Sequence, residues 1–213
     1  MFQKSFGTSG VNAIGSFQLS QLNSSSVKSK LKAAGINTNS KQYKAAVKQM
    51  MSAGNGAMYG NIQGIKNLMS HYDKDGDYIN PVNGLAGLLV TDENESSRKR
   101  IISIPDSSKE EMYELTKKEF LRENGVHNGD TTKRTDVYNN LYRKMSKKDR
   151  LAAGYTLEKY ERIYRQAFYD AAKKADPNWE IGKPIKDGAL DSVTRELAES
   201  GKSPAQATLD TKI

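Results

Sequence analysis

Apolar residues recur along most of the chain at the three- and four-residue steps of an amphipathic α-helix. The clearest run is Met58, Ile62, Ile65, Met69 and Tyr72, whose steps of 4, 3, 4 and 3 residues place the five side chains on one helical face. The same spacing predicts further helices over residues 26–34, 40–54, 107–124, 137–145 and 156–175, and around Leu190, Val193 and Leu197. Because such faces pack on one another, the pattern predicts an all-α protein, a multi-helix bundle with at most one short strand pair.

Three local signals refine this prediction. Asn80 followed by Pro81 is a helix cap with a first-turn proline, which predicts a helix through Leu89. Gly154 is expected to separate a short helix from the long helix that follows it. Residues 99–104, with the sequence KRIISI, predict a short strand.

The spacing of these elements predicts a domain organisation. Residues 1–25, rich in Ser, Gly and Asn, predict a flexible N-terminal arm. Residues 26–90 predict a helical subdomain, and residues 91–106 predict a connector. Residues 107–213 predict a second helical subdomain, unless the two helical sets form one domain.

The start of the chain lacks the continuous apolar stretch of a secretory signal, since its apolar residues are scattered. A cytoplasmic location is therefore the default expectation, with export by a leaderless route as the alternative. The chain has no apolar run near the roughly 18 residues of a membrane span, so none is predicted.

Composition excludes several classes of site. The 213 residues include no Cys and only two His, which excludes disulfides, thiolate zinc sites and multi-His metal centres. Lys and Arg number 33 against 25 Asp and Glu, so the formal net charge is +8. The charge is patterned in blocks: residues 1–72 hold eight Lys and no acid, residues 73–132 have a net charge of −5, and residues 133–174 have +7. Such blocks create large local fields.

The segment HYDKDGDYINPVNG, residues 71–84, contains the one motif with evident chemistry. Asp73, Asp75 and Asp77 alternate across a turn that contains Gly76. Hard cations such as calcium prefer six to eight oxygen ligands, and a curled loop turns alternate side chains inward. The same residues also suit a plain acidic surface turn, because Asp and Gly are common in turns without any metal.

The acidic loop and the helices predicted on either side of it, near 58–90, resemble an EF-hand helix–loop–helix. The resemblance implies calcium as the cofactor, with the Tyr78 carbonyl and the Asn83 side chain completing the ligand set of the three aspartates. The loop departs from the pattern, because Tyr78 replaces the usual Gly, Ile79 comes one place early, and the closing Glu is missing. Fewer charged ligands predict weak binding, with a dissociation constant of about 10⁻⁴–10⁻³ M.

A second candidate surface lies in residues 133–174, which are rich in Tyr and in basic residues. Basic groups neutralise phosphates and aromatic rings stack on bases, so this composition is compatible with nucleic-acid binding. The candidate residues are Arg143, Lys144, Lys147, Lys148, Arg150, Arg162 and Arg165. The alternative is that the tyrosines half-bury their rings in a helical core and that the cations are solvated.

Catalytic motifs are absent from the sequence: it has no nucleophile elbow, P-loop, dinucleotide-binding fingerprint or H-E-x-x-H zinc motif. Five glutamates between Glu110 and Glu123, Glu119 among them, fit one exposed helix face paired with nearby cations. His127 lies in a turn, and the sequence indicates no partner for it. An enzyme of unknown reaction therefore remains only the second alternative.

Residues 25–81, from SSVKSKLKAAG to HYDKDGDYINP, resemble an uncharacterised family of proteins from Gram-positive, largely gut, bacteria. The resemblance implies a source class and no mechanism. It agrees with the reading of the residues: a non-enzymatic binding or structural protein with a weak calcium-type site. Another protein is one possible class of partner, and nucleic acid is a less favoured one.

Overall fold

The computed structural model describes residues 16–53, 59–128 and 131–201. Within these residues it contains seven α-helices and one pair of two-residue strands, which confirms the prediction of an all-α protein. No helix in the described segments has both the length and the apolar character needed to cross a membrane. The first fifteen residues of the predicted arm and the predicted helix stop at Gly54 lie outside the described residues.

The chain divides into two compact units, Met1–Leu89 and Val90–Ile213. The N-terminal unit contains β1 (Phe17–Gln18), α1 (Ser25–Ala33), α2 (Lys41–Ala53), β2 (Tyr59–Gly60) and α3 (Ile62–Met69). Its two strands pair antiparallel, with Phe17 opposite Gly60. The C-terminal unit contains α4 (Asp106–Arg122), α5 (Thr131–Lys144), α6 (Arg150–Ala175) and α7 (Arg195–Ser200). Single 3₁₀ turns lie at Leu19–Gln21 and Lys147–Asp149.

The predicted N-terminal arm is too long, because part of it belongs to the core of the N-terminal unit. Phe17, Leu19 and Leu22 are only 2–4 % exposed, and they pack with Leu31 of α1 and Ile65 of α3. Ser24 then caps α1 by accepting a hydrogen bond from the Val27 amide at 3.3 Å. Burying large apolar side chains contributes about 1.5–3 kcal/mol each, which explains why a Ser-rich segment is ordered here.

The helix predicted after Asn80-Pro81 does not form, so the helix–loop–helix prediction for residues 58–90 is wrong in its second half. The Asn80 side chain accepts a hydrogen bond from the Val82 amide at 2.9 Å, and the Asn80 carbonyl accepts one from Gly84 at 2.8 Å. Gly84 and Gly87 then adopt positive φ angles of 71° and 80°. Left-handed glycines and local Asn hydrogen bonds close turns in place of a helix.

The core of the C-terminal unit is built on α6, the longest helix. Its Tyr164 and Phe168 are fully buried, and Phe168 lies 5.7 Å from the Phe120 ring of α4. Trp179, beyond the end of α6, covers Phe120 from the other side, with ring centroids 6.0 Å apart. Gly125 adopts a φ of +82°, and any side chain there would collide with Trp179, since a Cβ would lie 2.9 Å from its ring. This aromatic stack fixes the turn that follows α4.

Gly154 does not break α6, contrary to prediction, because the helix runs without interruption from Arg150 to Ala175. Glycine is required here because the Tyr142 ring of α5 packs against the helix backbone. A Cβ at Gly154 would lie only 2.5 Å from the Tyr142 hydroxyl. Thr156, predicted to begin the long helix, lies inside it and donates its hydroxyl to the Ala152 carbonyl at 2.8 Å. A glycine inside a helix is therefore explained by close approach of a neighbouring ring.

The strand predicted at residues 99–104 is also absent, since this segment has no strand partner. Its backbone is held by a side chain, because the Ile102 amide donates to Thr156 Oγ1 at 3.1 Å. Ile104 is only 6 % exposed and packs in the core of the C-terminal unit. Residues 91–105 are thus part of that unit in the structure, whose boundary falls between Leu89 and Val90.

The packing of Gly154 leads to a testable prediction. Gly154→Ala should destabilise the protein by about 1–3 kcal/mol, because the methyl group overpacks against Tyr142. In a Tyr142→Leu background the ring is gone, and the intrinsic helix preference of Ala, about 1 kcal/mol over Gly, should make the same change neutral or stabilising. Chemical denaturation of the four proteins measures both effects. An equal loss in both backgrounds would contradict the packing explanation.

Candidate metal centre

The acidic loop follows α3 directly, and a side chain of α2 holds the junction. Gln42 Nε2 donates to the carbonyls of Met69, at 2.9 Å, and of Tyr72, at 2.8 Å. These carbonyls lie at and beyond the end of α3, where a helix lacks internal partners for its last oxygens. The Tyr72 hydroxyl in turn donates to Gln49 Oε1 at 2.7 Å. Two glutamines of α2 therefore fix where the loop begins.

The loop itself is a tight turn closed by backbone hydrogen bonds. Tyr72 and Tyr78 form an antiparallel bridge, and the Ile79 amide donates to the His71 carbonyl at 2.8 Å. Gly76, at the tip, has a φ of +85°, and a Cβ there would lie 3.0 Å from the Lys41 carbonyl. Only glycine fits this tip, both because of its backbone angle and because α2 approaches so closely.

The structure brings the three predicted aspartates together. Asp73, Asp75 and Asp77 each offer a carboxylate oxygen, and these oxygens all lie within 4.8 Å of one another. Asp73 also organises the turn, because its Oδ1 accepts hydrogen bonds from the amides of Asp75 and Asp77, both at 2.9 Å. The Asp77 carbonyl accepts from the Asp73 amide at 2.9 Å. The side chains of the D-x-D-x-D motif thus converge because the loop curls, as the sequence predicts.

The other two predicted ligands have defined local roles. Tyr78 takes part in the bridge with Tyr72, and their rings meet edge to face at 5.9 Å. Asn83 Oδ1 accepts a hydrogen bond from the Leu85 amide at 3.0 Å. That Tyr78 and Asn83 complete a calcium shell stays a prediction.

The three aspartate carboxylates repel one another where they converge. Two carboxylates about 5 Å apart repel by about 1 kcal/mol in a water-like dielectric, and more where water is excluded. A divalent cation at the centre converts this repulsion into attraction, and carboxylate oxygens are the ligands that hard cations prefer. These three carboxylates could therefore hold a metal ion, and calcium as that ion stays a prediction.

The predicted nucleic-acid residues are largely engaged within the C-terminal unit. Lys144 lies 3.2 Å from Glu111, and Arg162 lies 2.6 Å from Glu158. Arg150 donates from Nε to the Tyr142 carbonyl, and Arg165 donates to the Gly125 carbonyl, both at 3.1 Å. Arg143 and Lys148 are exposed, and Lys147 is half-buried. Cations held by internal partners are less available to phosphates, and nucleic-acid binding stays a prediction.

The C-terminal unit also contains a buried ion network that the sequence does not reveal. Glu119 of α4 and Glu161 of α6 are 2 % and 5 % exposed, and Arg134 of α5 binds both carboxylates. Glu119 was expected on an exposed helix face, and this is wrong. Its partner lies 15 residues away on another helix, so the local charge pattern could not identify it. A buried carboxylate requires such a partner, because an unpaired one is strongly destabilising.

His127, for which the sequence indicates no partner, joins this network. Arg134 Nη1 lies 2.8 Å from His127 Nε2, and since a guanidinium only donates, Nε2 accepts and the ring is neutral. Burial and the nearby guanidinium of Arg165 hold the pKa of His127 below its usual value. The carboxylate of Glu161 acts in the opposite direction and is outweighed. His127 is therefore a neutral acceptor at pH 7.

Comparison of the sequence with models of protein families gives a match over most of the chain. Residues 36–213 match the family described as a domain of unknown function, DUF3879. The chain belongs to this family. The matched DUF3879 region contains both the acidic loop and the whole described part of the C-terminal unit, and it begins after α1. Comparison with curated proteins and with solved structures finds no match.

The role of Gln42 leads to a prediction about the acidic loop. Gln42→Met keeps the volume of the side chain but removes both donated hydrogen bonds, which are worth about 1–2 kcal/mol. The loop should open more often, so the Ile79 amide should exchange its hydrogen about tenfold faster. Gln63→Met, an exposed change on α3, is the control and should leave this amide unchanged. Equal exchange rates in Gln42→Met and the parent would show that Gln42 does not hold the loop.

The depressed pKa of His127 predicts a pH dependence of stability. The folded state binds the imidazole proton less well than the unfolded state, whose pKa is about 6.5. Stability is therefore fully present above pH 6.5 and falls as pH decreases toward the lower folded pKa. Between pH 7.5 and 5.5 the melting temperature should decrease more in the parent than in His127→Gln. Parallel curves for the two proteins would be the contrary result.

Proposed function

We propose that this chain is a non-enzymatic binding protein whose N-terminal unit holds one hard divalent cation, preferentially calcium, in the loop of residues 73–83. The observation that carries the proposal is the convergence of Asp73, Asp75 and Asp77, with carboxylate oxygens within 4.8 Å of one another. The Tyr78 carbonyl and the Asn83 amide oxygen are the proposed neutral ligands. Calcium accepts such mixed oxygen sets, whereas magnesium demands a stricter octahedral geometry.

The fastening of the loop to α2 supports a structural role for the ion. Gln42 holds the carbonyls at the start of the loop, and the Gly76 tip lies against the Lys41 carbonyl. An ion that closes the loop therefore also stabilises the packing of α3 on α2. The stabilisation follows mass action and grows with the ratio of calcium concentration to dissociation constant.

The proposed affinity links the site to the location of the protein. A dissociation constant of about 10⁻⁴–10⁻³ M suits extracellular calcium concentrations and leaves the site largely empty in a cytoplasm. Leaderless export from a Gram-positive bacterium would fill the site, and a cytoplasmic location would not. The bound ion would then be a permanent structural ion that stabilises the fold for an interaction with another protein. A regulatory role is less favoured, because a calcium sensor usually pairs two complete loops.

Thermal unfolding of the full chain tests the proposal. With about 10 mM calcium, a site of this affinity adds about 1.4–2.7 kcal/mol relative to chelator. The melting temperature should therefore rise by several degrees with calcium and less with magnesium. Asp75→Asn keeps the shape of the side chain and removes one charge, so the calcium effect should largely disappear.

The same variant separates a metal ligand from an ordinary turn residue. In chelator, Asp75→Asn relieves carboxylate repulsion and should melt at the same temperature as the parent or slightly higher. Asp92→Asn, an exposed change of identical chemistry in the C-terminal unit, is the matched control and should keep the full calcium effect. A calcium shift that survives Asp75→Asn, or no shift in the parent, would overturn the proposal.

A further inference from the structure

The C-terminal unit contains a cleft of about 610 Å³. This volume lies within the range of small-molecule sites, which is roughly 300–1,000 Å³. Phe120, Tyr169 and Ile181 supply an apolar wall, while Glu161, Arg165 and His127 supply polar groups. Phe120 is buried and Ile181 is 56 % exposed, so the wall runs from the core to the rim. An apolar wall that faces a few polar groups is the usual make-up of a ligand site.

Arg165 is the unusual member of this lining, because it lacks a carboxylate partner. No carboxylate among the described residues lies within ion-pair distance of it, and its one hydrogen bond is to the Gly125 carbonyl at 3.1 Å. Its Nη1 is buried and has no acceptor at all. Burial also lowers its pKa. Its guanidinium carbon lies 5.7 Å from the centroid of the Phe120 ring, a cation–π contact that offsets only part of the cost of desolvation. Buried cations are normally paired with a carboxylate, and Arg165 is not.

The reason for this lack of a partner lies in the buried network. Glu161 and Arg165 are four residues apart on α6, the spacing at which such residues ordinarily pair. Glu161 instead turns one oxygen, Oε1, to Arg134, and His127 Nε2 lies 3.5 Å from the same oxygen. None of the hydrogen bonds or ion pairs of Glu161 among the described residues involves its second oxygen, Oε2. Arg162, which also lines the cleft, is paired with Glu158 at 2.6 Å. The cleft thus presents one unsatisfied cation and one half-satisfied carboxylate, a helical turn apart.

The charge balance restricts what this pair can accept. Arg134 and Arg165 compensate Glu119 and Glu161, so the four groups are neutral together. A simple anion on Arg165 would leave an excess negative charge on these partly buried groups, and a simple cation on Glu161 would leave an excess positive one. A ligand that carries both charges on adjacent atoms keeps the balance and satisfies both groups.

We propose that this cleft binds a free α-amino acid with an apolar side chain. Its carboxylate accepts hydrogen bonds from Arg165, a geometry that guanidinium groups favour. Its ammonium group donates to the second oxygen of Glu161. Its side chain lies against Phe120, Tyr169 and Ile181. This site is in the C-terminal unit and is independent of the calcium loop.

Isothermal titration calorimetry of the full chain, with ¹H–¹⁵N NMR to locate the ligand, tests this proposal. The probes are L-phenylalanine and L-leucine, with N-acetyl-L-phenylalanine and L-phenylalaninamide as derivatives that each lack one charge. The free amino acids should bind and shift the amides near Gly125 and Arg165. Each derivative should bind at least about tenfold more weakly, because one charged hydrogen bond is lost.

Variants assign the binding to the proposed residues. Arg165→Gln should weaken binding about tenfold or more, while Lys174→Gln, which changes an exposed lysine of the same helix, should stay within about twofold of the parent. Ile181→Ser alters only the exposed rim, so it gives a second reading if Arg165→Gln fails to fold, and it should weaken leucine binding several-fold. Derivatives that bind as well as the free amino acid would overturn the proposal. The absence of binding by either free amino acid up to about 10 mM would do the same.

Discussion

The C-terminal unit depends on a single guanidinium, that of Arg134. It binds the carboxylate of Glu119 on α4 and that of Glu161 on α6, and so joins three helices at one point. Both carboxylates are almost fully buried, so each would impose a penalty of several kcal/mol without this partner. The planar fork of an arginine can serve two carboxylates, whereas a lysine ammonium is a compact point charge. The neutral state of His127 and the lack of a carboxylate partner for Arg165 both follow from how Arg134 distributes its donors.

The N-terminal unit is organised by different physics. Its core is small, and the acidic loop is closed by backbone hydrogen bonds and by the Asp73 side chain, while Gln42 holds the carbonyls where the loop begins. Glycines with positive φ angles at Gly76 and Gly84 set the turns. Segments of this kind open locally at low cost, which suits a place where a bound ion adds stability. One unit is thus fixed by buried charge, and the other by turn geometry.

Much of the fold follows from the sequence, because helical periodicity is a local signal. Ile65, Leu141 and Tyr164 are fully buried, as the spacing of the apolar residues around them predicts. The errors arise where a local signal competes with the tertiary context. Asn80 accepts a local hydrogen bond as a helix cap would, but the glycines that follow close turns and no helix forms. The sequence predicts a helix break at Gly154 because it does not show that the Tyr142 ring packs there. Both corrections depend on residues that local rules do not connect.

The two candidate sites differ in the same way. The aspartate cluster spans five residues, so its convergence could be predicted from spacing alone. The cleft is lined by residues of α4, of α6 and of the segments that follow each of these helices, and Arg134 of α5 contacts the lining residue Glu161. No local sequence pattern predicts it, because these residues are far apart in the chain.

The absence of acidic residues before Asp73 has an electrostatic consequence for the acidic loop. The sequence of residues 1–89 contains nine lysines, and the three aspartates are its only carboxylates. The formal net charge of this segment is therefore +6. A cation that approaches the loop is attracted by the adjacent aspartates but repelled by the lysines, of which only Lys74 belongs to the loop itself. Dissolved monovalent salt screens distant charges more strongly than contacting ones. Ionic strength therefore removes the repulsion first, so we expect the proposed calcium affinity of this loop to depend less on salt than that of a loop on an acidic protein.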